Sequence, residues 1–251
     1  MEVASNAGAH NSIYRGQNLG TSVTSTQWLN ITQGTFDDLF IGDYWEIDNN
    51  EWRIAAFDYW LGFGNTECTT HHVVIVPDRV VGSNKKMEDT DITTNGYKGS
   101  KMRTTYLDDA KTTINNAFGS SHILSHRDRF SSASENGWPS LTAWDDATVE
   151  IMSERMVYGN SVFATGNPDL RNGLSCQAAQ IYQIDYSQLP LFKHDHSKIM
   201  ALRVDGTSAI NYWLNDIVSA TAFAYVHSFG DASFSNANIA MGVRPCFGIV
   251  G

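Results

Sequence analysis

Two short segments frame the last forty residues of this chain and restrict whatever lies between them. Tyr212-Trp213-Leu214-Asn215 opens the stretch and Gly242-Val243-Arg244-Pro245 nearly closes it. The first is a bulky aromatic–aliphatic anchor. The second reads as a strand bounded by Gly and Pro, with one arginine expected to be buried. Between them the chain is rich in Ala, Ser, Asn, Asp, Phe and Tyr. Rigid aromatics offer contact area and small polar side chains offer hydrogen bonds, a mixture that suits a recognition surface. Trp213, Arg244 and Pro245 are therefore assigned to the frame. The planar donor fork of Arg244 is expected to lock the last strand to a neighbouring loop through carbonyls or a carboxylate.

The rest of the composition narrows the class. With 251 residues, 42% hydrophobic and 12% aromatic including seven Trp, the chain can bury a sizeable core and is rich in strand-favouring side chains. Its net charge of -10, with Lys85-Lys86 the one adjacent basic pair, argues against nucleic acid as a partner. Cys68, Cys176 and Cys246 form no CxxC pair and leave an odd thiol, which fits synthesis in a reducing cytoplasm better than a disulfide framework. The segment from Met1 to His10 has neither a basic start nor an apolar run, so no signal peptide is expected. No apolar stretch approaches the length of a membrane span.

Hydropathy patterning predicts one α+β domain over residues 35–251, preceded by an arm over residues 1–34. The arm is rich in Asn, Ser, Thr and Gly, with Tyr14, Trp28 and Leu29 as anchors; it reads either as a terminus packed back on the domain or as a docking segment. Trp45 and Ile47, a turn at Asp48-Asn49-Asn50, then Trp52, Ile54 and Ala56 predict a hairpin with one apolar face. His72 to Val76, stopped by Pro77, predicts a strand covered on both faces. Residues 82–100 are a polar loop. Met102, Tyr106, Leu107, Ala110, Ile114, Ala117 and Phe118 recur at helical spacing up to Gly119. Further helices are predicted around His122 to Ala133 and Ala147 to Tyr158, the latter capped by Asp145 or Asp146. Residues 160–180 read as loop, and Ser187 to Lys193 as a turn of helix interrupted at Pro190. In the C-terminal region Phe223, Tyr225 and His227 alternate with Ala222, Ala224 and Val226, Gly230-Asp231 supplies a turn, and a last strand runs from Val243 to Ile249. The strands at the two ends of the chain are expected to meet.

Candidate chemistry is sparse. His71-His72 with Glu67 and Cys68 could be imagined as a metal site, but adjacent residues on a strand face opposite ways. His194 and His196 have a spacing that can chelate, in a segment where a solvated role is simpler. Cys246 reads as a small buried hydrophobe rather than a nucleophile. The paired carboxylates at 37–38, 108–109 and 145–146 suit helix starts and solvated faces. No nucleotide-binding, hydrolase or zinc-protease motif occurs. The expectation is a non-enzymatic protein with no metal and no cofactor.

The framing pair resembles a family of bacteriophage structural proteins and bacterial surface proteins. There an aromatic-Trp-Leu segment and a Gly-Val-Arg-Pro segment bracket the irregular part of a C-type-lectin-like fold. Phe40 to Trp45 followed by Trp52-Arg53-Ile54-Ala55 looks like that family's opening hairpin, and Ser100 to Phe118 looks like its helix. These segments span most of residues 36–250. Asn215 departs from the pattern, standing where the family often has Arg. The resemblance implies a twisted antiparallel sheet with two or three helices, paired terminal strands and a long irregular loop region. It further implies a virion protein docked to other virion proteins by its arm, in a homo-oligomer, presenting a surface to a host glycan or protein receptor. Asn215, Asp216, Tyr225, His227, Phe229, Asp231, Phe234, Asn236 and Asn238 are the contact residues this reading selects. The same resemblance leaves open capsid decoration or tail attachment, a purely structural cement role, and a bacterial surface adhesin. An enzyme of the formylglycine-generating group would need Cys176 and Cys246 together in a cleft. Calcium-dependent sugar binding would need an oxygen-ligand run that is absent here.

Overall fold

A computed structural model describes residues 6–164 and 188–251. It is a mixed α+β structure in which antiparallel strands outweigh short helices. The first hairpin joins β1 (Tyr44–Ile47) to β2 (Asn50–Phe57), with Trp45 opposite Trp52. Its loop is the two residues Asp48 and Asn49, both at positive φ (52° and 60°); their backbone matches the twist of the flanking strands, so Asn50 already belongs to β2. Contrary to the one-faced pattern, Arg53 and Ala55 of β2 are as buried as Trp52 and Ile54. The strand lies inside the sheet and is covered on both sides.

β3 (Val73–Pro77) is buried throughout, as its continuous apolar run predicts. The last strand, β12 (Pro245–Ile249), pairs with β3 on one side and with β6 (Val149–Ile151) on the other. The five-stranded order is therefore β1-β2-β3-β12-β6. This corrects the expected pairing of terminal strands: the chain's last strand sits beside its third, and the outer edge of β1 is taken by residues 17–20. Tyr44 donates to the Gln17 carbonyl, and Glu46 to that of Gly20. That contact shields a sheet edge that would otherwise expose unpaired backbone groups.

The predicted helix over Met102 to Phe118 forms as a π-helical turn, Met102–Tyr106, running into α3 (Asp108–Phe118). Leu107 N–H reaches the Met102 carbonyl at 2.9 Å to close the wider turn. Met102, Leu107, Ala110, Ile114 and Phe118 are buried. Phe118 sets its ring edge-on to Trp52 and Phe247 at 5.6 and 5.5 Å, which joins the helix to the middle of the sheet.

Of the two other predicted helices, the one around His122 to Ala133 is overturned and the one over Ala147 to Tyr158 keeps only its last turn. Residues 126–147 form a long hairpin of β4 (His126–Glu135) and β5 (Trp138–Ala147), turned by Asn136-Gly137 at φ 52° and 82°. The misleading signal is plain in the burial: His126, Phe130 and Ser134 are buried at intervals of four, which imitates a helix face. Val149 to Ile151 is edge strand β6, and helix α4 (Glu154–Tyr158) starts only after Ser153, whose hydroxyl accepts from Met156 N–H. Asp145 and Asp146 lie in β5 and cap nothing. Pro190 does not interrupt a turn but begins one, α5 (Pro190–His194), where its missing N–H costs nothing. Residues 165–180 of the predicted loop, together with Cys176, lie outside the described residues, as does Ser187.

The N-terminal segment is laid on the domain. It carries helices α1 (Ala7–His10) and α2 (Ser25–Thr32), the second opened by a reciprocal Thr24–Gln27 cap. Asn11 exchanges two hydrogen bonds with the Phe57 backbone, and Arg15 pairs with buried Asp43 at 2.7 Å. Ile31 is fully buried, whereas Ile13 and Leu29 are about half exposed. No helix among the described residues is long and apolar enough to cross a membrane.

Candidate binding surface

The framing segments meet in space. Trp213 N–H donates to the Gly242 carbonyl, Gly242 N–H donates to the Asn211 carbonyl, and Tyr212 bridges Gly242 in parallel. The stretch between them is thereby closed at its base. Trp213 is wholly buried and its indole N–H donates to the Lys85 carbonyl at 3.0 Å. Arg244 is buried and engages carbonyls, as expected of it. Nε donates to the Pro77 carbonyl at 2.8 Å, and Nη1 to those of Lys198 and Ile199 and to the Tyr212 hydroxyl. Its Nη2 has no hydrogen-bond partner among the described residues. The cation lies between the rings of Phe192 and Tyr212, at 5.5 and 5.2 Å. Pro245 is buried as the first residue of β12.

After a short pair of strands, β7 (Ala201–Leu202) and β8 (Ala209–Ile210), a three-stranded antiparallel sheet stands upon this base: β9 (Tyr212–Ile217), β10 (Ala222–Val226) and β11 (Ala232–Asn236), with β10 central. The loop-rich face implied by the resemblance is thus built from strands here. Register sorts the proposed contact residues. Tyr225 is opposite Ser233 and Trp213, whereas Phe234 is opposite Ala224. Cross-strand partners share a face and neighbours along a strand do not, so Tyr225 and Phe234 lie on opposite faces.

On the first face Tyr225 is half-buried against Trp213, and a file of rings continues outward. Tyr225 to His227 is 6.3 Å and His227 to Phe229 is 4.9 Å between centroids. Phe229, at the turn, is 83% exposed. The turn is held: Ser228 N–H donates to Asn211 Oδ1, the His227 and Asp231 backbones join, and Tyr158 Oη donates to the Gly230 carbonyl. On the second face Phe234 is 49% exposed and meets Phe163 edge-on at 5.2 Å, beside exposed Val162. Backbone N–H groups of Val162, Phe163 and Ala164 converge on the carboxylate of buried Glu154, which fixes that neighbour.

The remaining selected residues divide. Asp231 and Asn236 are exposed. Asn236 donates to Asp91 Oδ2, and the Asn238 backbone donates to the same carboxylate, tying this edge to the loop over residues 82–100. Asn215 and Asp216 serve the interior: Asn215 Nδ2 donates to the Ile151 carbonyl, and Asp216 accepts from Glu154 N–H at 2.6 Å. Half-buried, they join the small sheet to the end of β6 and the start of α4.

Of the histidines considered for metal, His71, His72 and His194 hold other contacts and His196 is exposed. Buried His72 uses Nε2 to accept from Trp60 N–H and sets Nδ1 against the Thr70 carbonyl, and burial holds its pKa below the usual value. His71 Nδ1 meets Asp58, and His194 Nε2 meets the Asn11 carbonyl. Among the described residues no three His, Cys, Asp or Glu side chains converge to hold a metal ion. Cys246 is buried in β12 and burial pushes its thiol well up, away from nucleophilic character.

Two charged clusters escaped the sequence reading. Arg53 is buried, with Nε and Nη2 on Asp78 and Nη1 on the Gly42 carbonyl. Burial alone would raise the Asp78 carboxyl, but hydrogen bonding and charge from Arg53 overcome it and hold the group far below the carboxylate range. Arg103 similarly joins Asp145 and Glu150, and Glu150 accepts from Tyr97 Oη at 2.7 Å. Scanned against protein-family models, curated proteins and solved structures, the chain matches none of them.

Proposed function

We propose that this chain is a virion structural protein displaying a C-type-lectin-like domain, on the capsid or the tail, for contact with a host-surface glycan or protein. The observation that carries the reading is the ring file from Tyr225 to Phe229, together with Phe234 and Phe163, held out on a sheet whose base is hydrogen-bonded shut. Exposed Phe side chains on fixed backbone lose little entropy on contact and gain roughly 1.5–3 kcal/mol each when buried by a partner. In this reading binding, not catalysis, is the task, the N-terminal arm docks to other virion proteins, and the protein works as a homo-oligomer. Half-exposed Ile13 and Leu29 on that arm also favour a second reading, in which the protein only cements neighbouring subunits.

The test uses the full chain and host cells. Phe229→Ala combined with Phe234→Ala removes both exposed rings without opening the core, and cell binding should weaken tenfold or more with the melting temperature unchanged. Undiminished binding would defeat the receptor reading. Burial of both rings against a neighbour in a map of the intact particle would favour cement.

A further inference from the structure

A second polar site lies at the base of the β4–β5 hairpin, where a cleft of about 420 Å³ opens between residues 65–68 and the hairpin's first and last residues. That volume falls within the roughly 300–1,000 Å³ typical of small-molecule sites. His126 lines the cleft. It is 6% exposed, and neither of its two buried ring nitrogens has a hydrogen-bond partner among the described residues. The nearest carboxylate oxygen, on Asp128, stands 4.0 Å from Nε2. The imidazole is held flat against Trp60, with centroids 4.2 Å apart and planes 25° from parallel. A buried polar ring with both nitrogens unpaired calls for a partner from outside the chain.

The surrounding groups define that partner's chemistry. Burial, reinforced by His72, lowers His126 to about 3, so at neutral pH it presents one N–H and one lone pair. Arg127 is already engaged, with Nε on Asn65 Oδ1 and Nη1 on Asp146. Glu67 adds a carboxylate at the rim, leaving the lining with excess negative charge and no spare cation for an anion. Burial raises the Cys68 thiol, whose S–H is given to the Thr70 carbonyl, so it supplies no metal-binding thiolate. A hydroxyl both gives and accepts a hydrogen bond, and so satisfies either imidazole nitrogen without a charge.

We infer that this cleft binds a small neutral polyhydroxyl compound, a sugar or polyol, through His126, with Glu67 and Asn65 on its rim. The site is separate from the aromatic surface. The cleft is at the hairpin's base, whereas a Cβ at Gly137 in the tip would meet the backbone of Ser219 and Ala220, beside β9 and β10. Ten residues of strand separate base from tip, about 30 Å when extended.

Titration of the full chain with D-glucose, myo-inositol and mannitol, followed by Trp fluorescence and calorimetry, tests the site. At least one should saturate below about 10 mM. His126→Phe, which keeps a ring against Trp60, should weaken it tenfold or more, and Glu67→Gln by a few-fold. Ethanolamine and inorganic phosphate serve as charged comparisons. Should His126→Phe fail to fold, the imidazole nitrogen resonances of His126 in the parent chain must shift on adding the polyol. Absence of saturation, binding retained in His126→Phe, unshifted resonances, or His126-dependent binding of a charged probe alone would overturn the inference. None of these outcomes depends on cell binding through Phe229 and Phe234.

Discussion

Arg244 gathers four hydrogen bonds onto one side chain, and three of its acceptors are backbone carbonyls from two distant parts of the chain, Pro77 and the adjacent pair Lys198 and Ile199. A lysine carries the charge but not the fork, so Arg244→Lys satisfies at most part of this set. Arg244→Met fills the space and leaves buried carbonyls without donors, each costing about 1–3 kcal/mol. Both substitutions should lower the unfolding free energy measured in urea, by about 3 kcal/mol or more for Met. Changes under about 0.5 kcal/mol in both would show that the arginine is not what ties β12 to the segment after α5. Arg53 performs a similar task at β2. Arg244 could be singled out in the sequence because a lone cation stands among Gly, Val and Pro. Arg53, followed by Ile and Ala, sat at a position that strict alternation turns outward.

At the scale of elements, the hairpin over residues 126–147 is the instructive failure. Asn136-Gly137 is a strong two-residue turn signal, and both residues adopt the positive φ such a turn needs. The buried side chains of β4 recur every four residues, a spacing that a helix face shares. Register irregularities in β4 between Ser131 and Ser134 shift which side chains face inward and break the simple two-residue rhythm. Gly137→Ala would place a Cβ 2.6 Å from Ala220 N, at a φ of 82°. Gly20, at φ 106° with nothing within 4 Å, isolates the backbone strain alone. Gly137→Ala should cost about 2–3 kcal/mol and Gly20→Ala about 1 kcal/mol in thermal or urea unfolding. Equal costs would mean that the hairpin tip does not press on the turn between β9 and β10. The Thr24–Gln27 cap was likewise present in the sequence, but the polar setting of α2 supplied no apolar rhythm to confirm it.

For the whole molecule, pH reports on the histidines packed against Trp60. His126 is lowered to about 3 and His72 is also lowered, burial being the first cause for each. The unfolded chain therefore takes up protons below about pH 6.5 while the native state does not, and stability falls as pH drops from about 6.5 toward 3. From His126 alone the loss between pH 7.5 and 4.5 should be about 2–3 kcal/mol. Urea unfolding at these two pH values measures it. His126→Phe should flatten that dependence, and an unchanged slope would reject the assignment.

The pattern of residues was enough to specify an α+β chain, a strand over His72 to Val76, the helical run ending at Phe118, the buried last strand and a buried Arg244. Each of these rests on local chemistry: period, turn residues, or a charge with no exposed alternative. Tertiary structure alone decided that β12 lies between β3 and β6, that Tyr225 and Phe234 stand on opposite faces, that Asn215 and Asp216 turn inward, and that His126 lines a cleft unpaired. Strand partners are chosen by how whole faces pack and by which edges must be covered. A residue's neighbours across a sheet leave no trace in its neighbours along the chain.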